Sequence, residues 1–401
     1  MSQEKRRAAQ WIEQKAELWR ETSRTIWENP ELGHQEYRAS ALLSGILEEH
    51  GFQVERGTAG LETAFRAVYD SGKPGPHIAY LSEYDALPGL GHACGHNLIG
   101  VMSVAAAMSL AETLDQIGGT VTVFGTPAEE TSGAKVTMAE QGYFEGIDAA
   151  MMAHPASVYE RSGKSLAMEA IQFEFHGKTA HAASQPYLGV NALDAAIQTF
   201  NGINALRQQL RSDVRIHGII KKGGEAANVV PDYSLIQFYV RTGSKSTLPD
   251  AVEKVKNCAR GAAAATGCRL EISNYELGYD NLVTNEALSD LFTGNLVALG
   301  VAPEEIKHGL DHGSIDMGNV SQVVPAIHPY IKMPDSPYGG HTAEFCEAAG
   351  DERGQHALLM GAKALAWTGL DLLEQPLCLQ DVREEFAKAT GTAGKRGTAA
   401  K

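Results

Sequence analysis

The sequence predicts an α/β fold, a mostly parallel sheet covered by helices, with a ferredoxin-like βαββαβ unit inserted into it. Three observations carry this expectation. Apolar, strand-like runs at 78–81, 121–124 and 149–152 alternate with helical stretches, which is the signature of parallel strands joined by crossover helices. Between roughly 166 and 276 the pattern changes to strand, helix, two strands, helix and strand, a self-contained supersecondary unit. Helix and strand patterns then resume at 286–299 and continue to about residue 375, so the second unit interrupts the first.

In chain order, residues 1–50 read as helical with a break at Asn29-Pro30, because proline cannot continue a helix. A helix over 98–114 separates the first two apolar strands. In the interrupting unit, 166–175 (LAMEAIQFEF) alternates as a strand and 190–210 follows as a helix. Strands at 215–221 and 233–241, a helix at 249–265 and a last strand at 269–272 complete it. The tail 391–401 (GTAGKRGTAAK) is small and basic and is expected to be disordered.

The chain of 401 residues is long enough for two cores. Its formal charge of −15 argues against nucleic acid and anionic membranes as partners, since both attract basic patches. No run reaches the ~18 apolar residues of a membrane span, and the charged N-terminal stretch lacks the apolar segment of a secretory signal. Five cysteines without a regular framework fit a reducing compartment. A cytoplasmic enzyme is the expectation.

The chemistry concentrates in His92-Ala93-Cys94-Gly95-His96-Asn97, where thiol and imidazole ligands stand two residues apart after the first apolar strand and the acidic turn 82–85. Glu129-Glu130 follows the second strand and His154 the third. An open α/β sheet builds its site at the carboxyl ends of its strands. With His341 in a glycine-loosened loop, Cys94, His96, Glu130, His154 and His341 could supply five ligands, enough for two cations if one bridges. Thiolate and imidazole suit zinc, and carboxylate-bearing sites also take manganese or nickel. Adjacent glutamates allow one carboxylate to bind metal while the other exchanges a proton with water and leaving group. A Glu-Glu pair alone reads as a solvated turn; its place between a Cys-x-His pair and a His-Pro makes it a site candidate.

Taken together, these segments resemble the dinuclear metallopeptidases that include aminoacylase, glutamate carboxypeptidase and the auxin-conjugate amidohydrolases. The strings LSEYDALPGLGHACGHNLIG, GTPAEE, MMAHP, GKTAHAA, NVVPD, GSIDMGNVSQVVPAIHPY and HTAEF are most similar to one branch, that of the aminobenzoyl-glutamate hydrolases and the β-alanyl-dipeptide hydrolases. The resemblance implies two divalent ions, manganese or zinc. It makes Cys94 the bridging ligand, puts Glu130 and His341 on one ion, and puts His96 and His154 on the other. It makes Glu129 the general base and Asp85 the carboxylate that orients a ligand. Many relatives carry a histidine ligand where this chain has Glu83, consistent with His96 taking that duty. Asn97 stands where amidohydrolase relatives often have aspartate.

The resemblance further implies that His181 reaches the active site of a partner protomer to stabilise the oxyanion, and that Asn228 and Arg241 hold the substrate's carbonyl and carboxylate. By this reading 1–165 and 277–390 form the catalytic domain and 166–276 an inserted lid and dimerisation domain. The implied activity is amide hydrolysis of an N-acyl or aminobenzoyl amino acid or a small dipeptide with a free carboxylate, by a homodimer. Two other readings are compatible with parts of this pattern. One is a metal-dependent deaminase of a small aromatic amine, and the other a non-catalytic component of a heteromeric hydrolase.

Overall fold

The computed structural model describes residues 2–309, 311–336 and 339–391. It separates into two compact units, one of residues 1–164, 282–312 and 316–401, the other of 165–281 and 313–315. The sequence placed the second boundary at 276. The return crossing comes later because Met168 and Tyr279 exchange backbone hydrogen bonds, and Leu166 N–H donates to the Gly313 carbonyl at 2.8 Å. Beyond Gly391 the expected tail lies outside the described residues.

The first unit is built on a six-stranded sheet. Its strands are β1 (Gln53–Arg56), β2 (Phe65–Asp70), β3 (His77–Ser82), β4 (Thr120–Gly125), β5 (Ala149–Met151) and the short strand Ala326–Ile327, in the order β1-β2-β4-β3-β5-(326–327). The four strands from β4 to 326–327 are parallel, while β1 and β2 are antiparallel to their neighbours. The parallel part matches the expectation from sequence, whereas this hairpin was not expected. β1 is mostly exposed and β2 alternates only in part, so neither offers the continuous apolar run of a strand buried on both faces. In contrast β3 is buried from Ile78 to Ser82 and β4 from Val121 to Gly125.

The helix His96–Ile117 packs against β3 and β4 and against the helix Glu352–Glu374. It is long and apolar enough to cross a membrane, yet almost all of that apolar stretch is buried in this core. Apolar residues all round a helix are what burial between layers requires. Capping fixes several helix starts: Asn285, Thr342 and Asp351 each accept a backbone N–H of the following first turn.

The second unit is a four-stranded antiparallel sheet of Ala167–His176, Arg215–Lys222, Tyr233–Thr242 and Arg269–Asn274. Its spatial order, 215–222, 233–242, 167–176, 269–274, with helices Ala192–Leu206 and Leu248–Thr266, is the ferredoxin-like arrangement. Along 233–242 every second residue (Ser234, Ile236, Phe238, Val240, Thr242) is buried. Ile236, Phe238 and Val240 join Ala195, Val252 and Val255 of the two helices in one core. Tyr239 and Arg241 therefore stand on the opposite sheet face.

Candidate metal centre

Three strand ends deliver the donors. After β3 the chain runs through Glu83, Tyr84 and Asp85, all buried, and returns at Cys94 and His96. Gly95 makes the return possible: its φ is +81°, and a Cβ there would lie 2.5 Å from Pro155 Cγ. His96 then opens the core helix, so its ring is anchored in a deeply packed element of the unit. Glu129 and Glu130 follow β4, and His154 follows β5. His341 is held in a left-handed conformation at φ +66°, with its N–H donated to the Ala93 carbonyl at 2.8 Å.

These donors converge. Ligand atoms of Cys94, His96 and His154 lie within 4.8 Å of one another, as do those of Cys94, Glu130 and His341, and those of His96, Glu129 and Glu130. Cys94 Sγ is 3.4 Å from His154 Nε2, and His341 Nε2 is 3.1 Å from Glu130 Oε1. Hydrogen bonds decide which ring nitrogens are presented. His96 Nδ1 is bound by the Asp85 carbonyl and carboxylate at 3.1 and 3.0 Å, and His154 Nδ1 by the Pro155 carbonyl at 2.7 Å. Each imidazole is thereby left with Nε2 facing the cluster, the usual way a carboxylate or carbonyl sets a ligand's tautomer. The other oxygen of Asp85 accepts the Glu130 N–H at 3.1 Å, so one carboxylate aligns two donors.

From sequence, Lys135 has no role, and Asp316 belongs to a pocket-lining segment without assigned chemistry. Lys135 is completely buried and donates to Glu83 and Asp316, each at 2.6 Å. The other Glu83 oxygen lies 3.4 Å from His96 Nε2. Gly133 permits this approach, since a Cβ there would come 2.2 Å from Asp316 Oδ2. A lysine near the start of a short helix reads as a surface residue, and no spacing rule marks one that is enclosed. The glycine two residues before it was the available signal. His328, buried, and Tyr330 wall the far side of His154 with ring centroids 5.5 and 5.4 Å away.

The electrostatics follow from five carboxylates (Glu83, Asp85, Glu129, Glu130, Asp316) close to a thiol. Burial disfavours the His96 imidazolium, but Asp85 and Cys94 outweigh it and hold its pKa well above the ordinary value. Burial raises Asp85, and its pairing with His96 brings it below the usual carboxylate range. Glu129 is pushed well up by burial and by the charges of Glu83, Asp316 and Glu130. Burial also raises the Cys94 thiol. An enclosed excess of anionic groups calls for cations. The donors fit them: sulfur, imidazole and carboxylate from separate elements, with buried His96 Nε2 making no hydrogen bond.

The remaining candidates lie in the second unit. His181 is exposed, bridges to Val229, and its Nδ1 accepts the N–H groups of Ala183 and Ser184 at 3.2 Å. Asn228, also exposed, sits beside it, its carbonyl accepting the Ala182 N–H at 3.0 Å. Arg241 donates to Ser314 Oγ at 3.0 Å.

A family profile described as a peptidase dimerisation domain matches residues 165–266. The chain is 41% identical to the Xaa-Arg dipeptidase of Mus musculus over 95% of its own length and 92% of that protein's. It is 28% identical to a component of the p-aminobenzoyl-glutamate hydrolase of Escherichia coli K12, covering 95% and 94% of the two chains. A Bacillus subtilis structure described as a dinuclear metal-binding peptidase of the M20 family superposes with a TM-score of 0.68 at 21% identity, covering 90% of this chain and 99% of the other.

Proposed function

The chain belongs to the M20 peptidase family, and from that premise we propose that it is a dipeptidase cleaving before a C-terminal basic residue. It is a hydrolase of C–N bonds, acting as an amidohydrolase on acyl amino acids or dipeptides. The 41% identical relative is a Xaa-Arg dipeptidase, which supports arginine or lysine as the leaving residue. The observation that carries the reading is the convergence of six donors with Glu129 among them.

In this reading Cys94, His96, Glu130, His154 and His341 would hold two divalent ions. Manganese and zinc both suit the donors. When bound, the ions polarise the scissile carbonyl and make water a nucleophile near neutral pH. Glu129 accepts the proton of the attacking water and returns it to the leaving amine. Asp85 holds the His96 ring in register by its bond to Nδ1. His181 of a second protomer donates to the developing oxyanion, the type of preorganised contact that contributes most in such sites. Asn228 binds the carbonyl, and Arg241 pairs with the terminal carboxylate. A homodimer is supported by exposed Ile219 and Ile220 on the sheet's edge strand 215–222. The five free cysteines support a cytoplasmic setting.

The test is product analysis with manganese- or zinc-loaded protein on Ala-Arg, Ala-Lys, N-acetyl-arginine and aminobenzoyl-glutamate, with Glu129→Gln as control. Free arginine or lysine released by wild type alone supports the reading. Ammonia as the sole product, or turnover confined to aminobenzoyl-glutamate, would overturn it.

A further inference from the structure

On the sheet face turned away from the helices, two opposite charges meet one tyrosine without forming an ion pair with each other. The Arg241 guanidinium carbon lies 5.2 Å from the centre of the Tyr239 ring. The hydroxyl of the same tyrosine donates to Glu276 at 2.6 Å. Tyr275 meets Tyr239 edge-on, with centroids 5.6 Å apart and planes at 64°. His217, on the neighbouring strand, approaches from the other side at 5.5 Å.

Among the described residues, neither Arg241 nor Glu276 makes an ion pair. Arg241 Nε is buried and has no hydrogen-bond partner, although half-buried charges are ordinarily compensated within the fold. Adjacent opposite charges with flexible side chains would close into a salt bridge. Here Ser314 holds the guanidinium at one end and the Tyr239 hydroxyl holds the carboxylate at the other.

Resting on the dipeptidase reading above, we propose that Glu276, Tyr239 and Tyr275 form the subsite for the cationic side chain of the substrate's C-terminal residue, beside the carboxylate site at Arg241. A C-terminal arginine or lysine carries the complementary pair of charges: a carboxylate for Arg241 and a cation for Glu276. The two tyrosine rings suit that cation, because guanidinium and ammonium groups are attracted to aromatic faces. Glu276 is thus a specificity-determining residue, and its hydrogen bond to Tyr239 fixes where it waits.

The experiment compares kcat/KM of metal-loaded, full-length protein on Ala-Arg, Ala-Lys and Ala-Met. Glu276→Gln should lower the Ala-Arg to Ala-Met ratio about 10–100-fold, the usual scale for losing one partner of a charge-assisted bond. That loss should appear mainly in KM. Glu276→Lys should move preference toward Ala-Glu. An unchanged ratio in both variants would overturn the subsite. Wild type inert on all dipeptides would remove the dipeptidase reading instead. In that event calorimetry decides separately: L-arginine binding weakened by Glu276→Gln supports the subsite, and no binding by wild type overturns it.

Discussion

Around His96 and on the open face of the inserted sheet, the same charged groups are treated in opposite ways. In the first region Lys135 is locked between Glu83 and Asp316 with no exposure. In the second, Arg241 and Glu276 both engage one tyrosine and form no ion pair with each other. Burial accounts for the difference. An enclosed charge has no water to solvate it, so the fold must supply its partner, whereas a half-buried charge can be solvated until a ligand displaces the water. Preorganisation is therefore strongest where donors are enclosed, and selectivity sits where they are not.

Four measurements would break or sharpen that contrast. Glu129→Gln should lower kcat roughly a thousandfold, within the range for general-base catalysis, while metal content stays intact by elemental analysis. Loss of both together would make Glu129 a ligand. Lys135→Met should cost about 3–5 kcal/mol in chemical unfolding, because two buried carboxylates lose their cation. An unaltered unfolding midpoint would mean the carboxylates find other partners and the region is less rigid than the contrast requires. Asp85→Asn should weaken metal affinity about 10–100-fold, read by competition with a chelating dye. Unchanged affinity would show that the His96 ring is held by packing alone. Arg241→Met should raise KM for Ala-Arg about tenfold, as for one lost charge-assisted contact, with little change in unfolding. A large stability loss there would place Arg241 with the enclosed charges.

How much of this was readable depended on whether local pattern or distant contact decided the outcome. The βαββαβ order was legible because residues 233–242 alternate along their whole length and 167–176 over their second half, so period-2 patterning sufficed. The grouping of Cys94, His96, Glu129, Glu130 and His154 was legible because each follows a buried apolar strand, and those strands run parallel. His341 was the weakest of the candidates, since a lone histidine in a glycine-loosened loop follows no strand; the resemblance strengthened it. The hairpin β1–β2 was lost because its residues are half polar. Lys135, Asp316 and Glu276 were lost for another reason: a charged side chain carries no mark of whether it is enclosed. That property is settled by segments far away in the chain, as 313–315 joining the inserted unit also shows.

Gly133 carries a consequence for descent. The Asp316 carboxylate occupies the space a side chain at 133 would need, so the two positions share one volume although they lie far apart in the chain. A lineage that acquired alanine at 133 would have to shorten or retract Asp316 in the same step, and Lys135 would lose a partner. These three sites should drift as a block or not at all, a heritable constraint that no pairwise spacing along the chain reveals.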